Sequence, residues 1–120
     1  MLFSSPKLGQ SLAQASPEIL NDLPFGVVGM TQDHFVTSYN RFESALSGMP
    51  PEKVVGKNFF TEVAPCTNNF LVATRFETES SLDDIVDYVF TYRMSPTKVR
   101  LRLLKDAAAG WKFLCVEKAT

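Results

Sequence analysis

Between Ile85 and Met94 the side chains alternate: Val86, Tyr88, Phe90, Tyr92 and Met94 fall on one face, and Asp87, Thr91 and Arg93 on the other. A period of two marks a half-buried strand and commits this segment to a sheet with one face covered. Ser95-Pro96 then turns the chain, Val99, Leu101 and Leu103 alternate with Arg100 and Arg102, and a short link from Ala107 to Gly110 leads into Trp111 to Glu117. Three successive antiparallel strands follow from this pattern, and upstream residues have to cover their apolar face. At 120 residues, about two-thirds of the unfolded chain's surface can be buried, so one domain with a real core is expected, with no need of a metal or disulfide staple.

The upstream segments supply that cover. Phe3, Leu8, Leu12, Ile19, Leu20 and Leu23 are spaced as short amphipathic turns broken by Pro6, Gly9 and Pro17, which predicts a packed N-terminal cap over residues 1–23, with the core from 24 to 120. Phe25 to Thr37 reads as a β-hairpin. Asn40 to Leu46 is a helix of a turn or two stopped by Gly48, Pro50 and Pro51, and Pro51 can open the next turn. After Cys66, Thr67 and the two Asn residues predict the N-terminus of a longer helix carrying Phe70, Leu71, Ala73, Thr74 and Phe76 and ending near Ser80-Ser81. The fold class is α+β: a five- or six-stranded antiparallel sheet with short helices on one face and the cap. The order β-β-α-α-α-β-β-β is that of PAS domains, whose helices and sheet enclose a ligand cavity; by itself this fixes no chemistry.

Composition narrows the function classes. Twelve Lys and Arg against thirteen Asp and Glu give a net charge of −1, which argues against nucleic acid or an acidic membrane as partner. Two cysteines far apart, Cys66 and Cys115, and a single histidine, His34, leave no metal-ligand pattern. The N-terminus lacks the apolar run of a signal peptide and no stretch approaches a membrane span of about 18 apolar residues, so a cytoplasmic protein with reduced thiols is expected. An acyl-transfer enzyme built on Cys66 would have to use His34, which the sequence places on a hairpin strand with no evident route to the thiol. A protein that is not an enzyme is therefore expected.

Two places can carry chemistry. Val63-Ala64-Pro65-Cys66 sets a thiol beside a rigid proline, just ahead of a predicted helix N-terminus whose amides would favour a thiolate and bond a thioester carbonyl; a buried, inert cysteine is the plainer alternative, and the only reading for Cys115. Tyr39, Glu43 and Ser47, at i, i+4 and i+8, share a face if the segment is helical and could converge on one oxygen, with a desolvated Glu43 kept neutral as a proton donor. The same spacing also describes three polar side chains on a solvated face.

VVGKNFFTEVAPCT at Val54 to Thr67, YNRFE at Tyr39 to Glu43 and YVFTYRMSPTKV at Tyr88 to Val99 together resemble the photoactive yellow protein family over nearly the whole chain. The resemblance implies a cytoplasmic PAS-fold blue-light receptor carrying 4-hydroxycinnamic (p-coumaric) acid as a thioester on Cys66. It implies that Tyr39 and Glu43 hydrogen-bond the chromophore phenolate, with Ser47 in place of the usual Thr. Tyr88, Phe90 and Tyr92 match the aromatic wall, Met94 a residue assisting thermal recovery, and Val63, Ala64 and Pro65 the lining beside the thioester. Met49 replaces the Arg that usually gates the pocket, and the segment between Cys66 and Tyr88 is a few residues shorter than the family's. A downstream signalling protein is the implied partner, with the chain a monomer or weak dimer. A chromophore-free PAS-like ligand or protein-interaction module is the alternative.

Overall fold

The structure, a computed structural model, describes residues 1–91 and 96–119. Five antiparallel strands form one sheet in the order β2-β1-β5-β4-β3: β1 Gly26–Met30, β2 Val36–Tyr39, β3 Ser81–Phe90, β4 Thr97–Asp106 and β5 Trp111–Lys118. Two short helices, α1 Leu8–Ala13 and α2 Pro17–Asn21, precede the sheet. Between β2 and β3 lie helix α3 (Arg41–Ser47), a 3₁₀ turn at Pro51–Lys53, a π-helical turn at Phe59–Val63, a second 3₁₀ turn at Pro65–Thr67, and helix α4 (Ala73–Thr78).

The alternation of the strands builds two cores on one sheet. Val28, Leu101, Leu103, Leu114 and Val116 point to the face covered by α3, the π-helical turn and α4, where Phe59, Phe60, Phe76 and Phe90 join them. Their neighbours Val27, Leu104, Phe113 and Cys115 point the other way, under Phe3, Leu8, Leu12, Leu20, Leu23 and Phe25. Each fully buried phenylalanine contributes about 1.5–3 kcal/mol relative to an exposed one. The expected cap thus packs on the face opposite the helices. Arg102 fastens its start: the guanidinium pairs with both Asp83 carboxylate oxygens at 2.9 Å and donates to the Phe3 and Ser5 carbonyls at 2.9 and 2.8 Å.

Two expectations need correction. The helix expected directly after Cys66 begins only at Ala73. Asn69 Oδ1 accepts from the Leu71 and Val72 amides at 3.0 and 3.2 Å, a side-chain turn that competes with helix formation. Phe70 and Leu71, expected within that helix, precede it and are 85% and 57% exposed. The following strand also begins earlier than Ile85, at Ser81, where it pairs with Asp106. The far end of its alternation, at Tyr92 and Met94, lies outside the described residues.

Against the helix-covered face, β4 and β5 set Lys105 opposite Lys112, both buried. Lys105 Nζ donates to the Phe76 carbonyl at 2.5 Å; Lys112 Nζ donates to the Gln32 carbonyl at 3.0 Å and meets His34 Nδ1 at 2.6 Å. Desolvation, followed by the neighbouring Lys105 charge, lowers the Lys112 pKa from 10.5 to about 8, against weaker support from Asp33 and Glu77. Burial also lowers the His34 pKa, with the Lys112 charge acting in the same sense. Between the two Lys112 values the unfolded chain binds more protons, so this group's contribution makes stability rise as pH climbs from about 8 to about 10.5. In urea denaturation across that range, Lys112→Met should lose this slope relative to the parent chain; parallel pH profiles would refute it.

Candidate functional site

The site grows from the junction of β2 and α3. Tyr39 is the last residue of β2, not part of a helix, so the helical-face argument for the polar trio fails for it. Only Glu43 and Ser47 share α3. The convergence nevertheless holds for Tyr39 and Ser47, because the strand runs straight into the helix and the Tyr39 hydroxyl donates to Ser47 Oγ at 2.7 Å, buried from water. Ser47 Oγ also accepts from the Met49 amide at 3.2 Å, and Ser44 Oγ donates to the Met49 carbonyl at 2.8 Å. Gly48, left-handed at φ 78°, ends the helix between them.

Glu43 is wholly buried. Its place depends on two residues that the sequence reading did not single out. A Cβ at Gly26 would lie 2.4 Å from Glu43 Oε1, so the missing side chain on β1 makes room for the carboxyl. Asn40 caps α3 and organises its surroundings. Its Oδ1 accepts from the Val27 and Glu43 amides at 2.9 and 3.2 Å, and its Nδ2 donates to the Leu20 and Phe25 carbonyls at 2.8 and 3.0 Å. An Asn three residues before a Glu is a readable helix-start signal; the Gly26 approach has no local signal at all.

The thiol lies across the same core. Pro65–Thr67 forms a tight turn closed by the Thr67 hydroxyl and amide, which donate to the Ala64 carbonyl at 2.7 and 2.9 Å. Cys66 is partly exposed. It borders a cleft of about 470 Å³ lined, among the described residues, by Met49, Val63, Ala64, Pro65, Cys66 and Thr91, a size within the range of small-molecule sites. Tyr39, Val63, Ala64 and Phe90 belong to one buried cluster, with Met49, Cys66 and Tyr88 packed against it. The Tyr88 and Phe90 rings meet edge to face at 6.0 Å. Cys115 is buried on the opposite face of the sheet, where desolvation pushes its thiol pKa far up; of the two thiols, only Cys66 opens onto the cleft.

No family model matches the sequence. Curated relatives do: the photoactive yellow protein of Halochromatium salexigens is 39% identical over 86% of this chain and 85% of its own length, and that of Rhodothalassium salexigens is 33% identical over 93% and 94%. The chain belongs to the photoactive yellow protein family.

Among solved structures, the photoactive yellow protein domain of the sensor histidine kinase Ppr from Rhodospirillum centenum superposes with a TM-score of 0.83 at 36% identity, covering 91% of this chain and 98% of that one. A PAS domain of an HTR-like protein from Haloarcula marismortui shares the fold, with a TM-score of 0.67 at 15% identity over 92% and 99%. As a member of the photoactive yellow protein family the chain is a PAS photoreceptor, and the α+β PAS architecture expected from the order of its elements is the one observed. Among the described residues no helix is long and apolar enough to cross a membrane.

The crowding at Gly26 and the bonds of Asn40 make separable predictions. Gly26→Ala should force the Glu43 carboxyl to move and cost about 1–3 kcal/mol of stability in thermal denaturation. Asn40→Ala should cost about 2–4 kcal/mol, since it removes a helix cap and strands buried backbone groups. Unchanged melting in either variant would contradict the packing described.

Proposed function

We propose that the chain is a blue-light receptor carrying 4-hydroxycinnamic (p-coumaric) acid as a thioester on Cys66. The observation that supports this most is the pairing of a partly exposed thiol on an apolar cleft with a buried Tyr39–Ser47 hydroxyl pair and a wholly buried carboxyl in the same layer. The residues fit the group: a thiol able to form the thioester, apolar walls at Met49, Val63, Ala64 and Pro65, aromatic rings at Tyr88 and Phe90, and hydroxyl and carboxyl donors for a phenolic oxygen. Tyr92 and Met94, outside the described residues, belong to the same proposal. Bound there, the pigment supplies visible absorption, a double bond that light can isomerise, and a delocalised phenolate charge.

The chain's own groups do the rest. Tyr39 and Ser47 form a short relay: if the Tyr39 O–H turns toward an anion, the Ser47 hydroxyl can donate back to the Tyr39 oxygen, so neither is left unpaired. Glu43, out of contact with water, is favoured as the neutral acid and is placed to donate a hydrogen bond and then a proton. Once that proton leaves, a carboxylate remains beside Gly26 in a buried layer, and its desolvation costs several kcal/mol. Helix α3 is the element best placed to relax. Its cap, Asn40, holds the Leu20 and Phe25 carbonyls, so strain at Glu43 is passed to the segment ending at Leu23. Release of residues 1–23 would then expose the surface read by a downstream signalling protein, in the cytoplasm, with the receptor acting as a monomer or weak dimer and not as an enzyme.

Reconstitution tests the proposal. Purified chain treated with p-coumaroyl anhydride should gain a bleachable blue-absorbing band and an adduct mass that Cys66→Ala abolishes. A colourless adduct, or none, would leave a chromophore-free PAS module instead. In the pigmented protein Glu43→Gln should move the band to longer wavelength, and an unmoved spectrum would remove Glu43 from the phenolate site. Amide hydrogen exchange over residues 1–23 should accelerate under illumination; equal protection in light and dark would overturn the cap as the signalling element.

A further inference from the structure

The segment that follows Cys66 is held mainly by hydrogen bonds. Phe70 and Leu71 face solvent, so between the buried Thr67 and the buried Val72 no apolar side chain anchors the chain. Hydrogen bonds from one side chain take over. Asn69 Nδ2 donates to the Cys66 carbonyl at 3.1 Å and to the Tyr88 hydroxyl at 2.5 Å, and the Tyr88 hydroxyl itself donates to that same carbonyl. Asn69 Oδ1 meanwhile accepts the Leu71 and Val72 amides. These two N–H donors fix which end of the amide is oxygen. The main chain of Asn69 is engaged as well: its amide donates to the Thr67 carbonyl at 2.9 Å, and its carbonyl accepts from Thr74 at 3.1 Å.

We propose that Asn69 is the positioning residue of the thiol site, its side-chain amide clamping the Cys66 carbonyl to the Tyr88 hydroxyl of β3 and so setting the direction in which Sγ meets the cleft. Pro65 restricts the backbone on one side of Cys66, and the clamped carbonyl fixes the peptide plane on the other. With both sides held, rotation about the Cα–Cβ bond is the main freedom left to Sγ, which is the preorganisation that a covalent attachment point needs. Asparagine suits the position because it offers two donors and an acceptor at short reach. Aspartate keeps only the acceptor, and alanine keeps neither.

The thiol readouts stand without the receptor reading; the pigment readout rests on it. In the full-length chain, labelling of Cys66 by Ellman's reagent should be about three- to tenfold faster in Asn69→Asp and Asn69→Ala than in the parent, the effect of losing a hydrogen bond that restrains the turn. With ¹³C-carbonyl cysteine, the Cys66 amide band should move to higher wavenumber in both variants, while that of Cys115 in β5 stays put. Tyr88→Phe, which removes only the hydroxyl, should shift the Cys66 band in the same direction. Should Asn69→Ala fail to fold, seen as labelling of Cys115, Asn69→Asp decides, since it keeps the acceptor that the turn requires. An unmoved carbonyl band and an unchanged labelling rate in a folded Asn69→Asp would overturn the clamp. If the parent takes up the p-coumaroyl group from its anhydride, with p-coumarate as the leaving group, Asn69→Asp should also shift the visible band and alter dark recovery; if the parent takes up none, the receptor reading falls while the rates and the carbonyl band still decide the role of Asn69.

Discussion

The side chain of Asn40 ties together parts that would otherwise be separate. Its oxygen holds the Val27 amide on β1 and the Glu43 amide in the first turn of α3, and its nitrogen holds the Leu20 and Phe25 carbonyls. The direction in which α3 leaves the sheet, the depth of Glu43, and the closure of the chain between α2 and β1 all follow from this one amide. In a buried, low-dielectric setting such bonds reinforce one another, and the loss of one partner strands several groups at once. The Tyr39–Ser47 hydroxyl bond depends on it in turn, since Tyr39 precedes Asn40 and Ser47 sits one helix length beyond it.

A single sheet serves as the wall between two apolar layers, and adjacent residues of a strand belong to different ones. Leu103 faces the helices while Leu104 faces the N-terminal segment, and Leu114 and Cys115 divide in the same way. The candidate site is therefore confined to one layer, with the N-terminal helices stacked on the other. Asn40 links the two layers through its side chain, whereas Arg102, which joins Asp83 on β3 to the Phe3 and Ser5 carbonyls, works within the N-terminal one.

Much of this was legible in the sequence where local periodicity and tertiary burial agree. The alternation of Val86, Tyr88 and Phe90 placed their side chains on the site face, and the Gly48 and proline stops bounded α3. Local reasoning failed where a side chain competed with the backbone. Thr67, Asn68 and Asn69 looked like caps for a helix carrying Phe70 and Leu71, yet the Asn69 amide closes a turn that leaves both outside any helix and in water. Tyr39 reached Ser47 by a route that helical spacing did not describe. Gly26 could not have been found at all, because its role is a contact with Glu43 across a fold that has first to exist. The proposed pigment rests on the family resemblance; thiol, hydroxyls and carboxyl define a kind of site, not its occupant.

The way the N-terminal segment is held has an evolutionary side. Asn40 and Arg102 grip it through main-chain carbonyls, those of Leu20, Phe3 and Ser5. A carbonyl is present whatever residue carries it. Substitutions in this segment therefore leave these polar fastenings intact so long as the backbone path is kept and Leu8, Leu12 and Leu20 stay apolar. Its outward-facing positions are free to drift from one lineage to the next, and a surface that can change while remaining attached is well suited to acquiring new recognition partners.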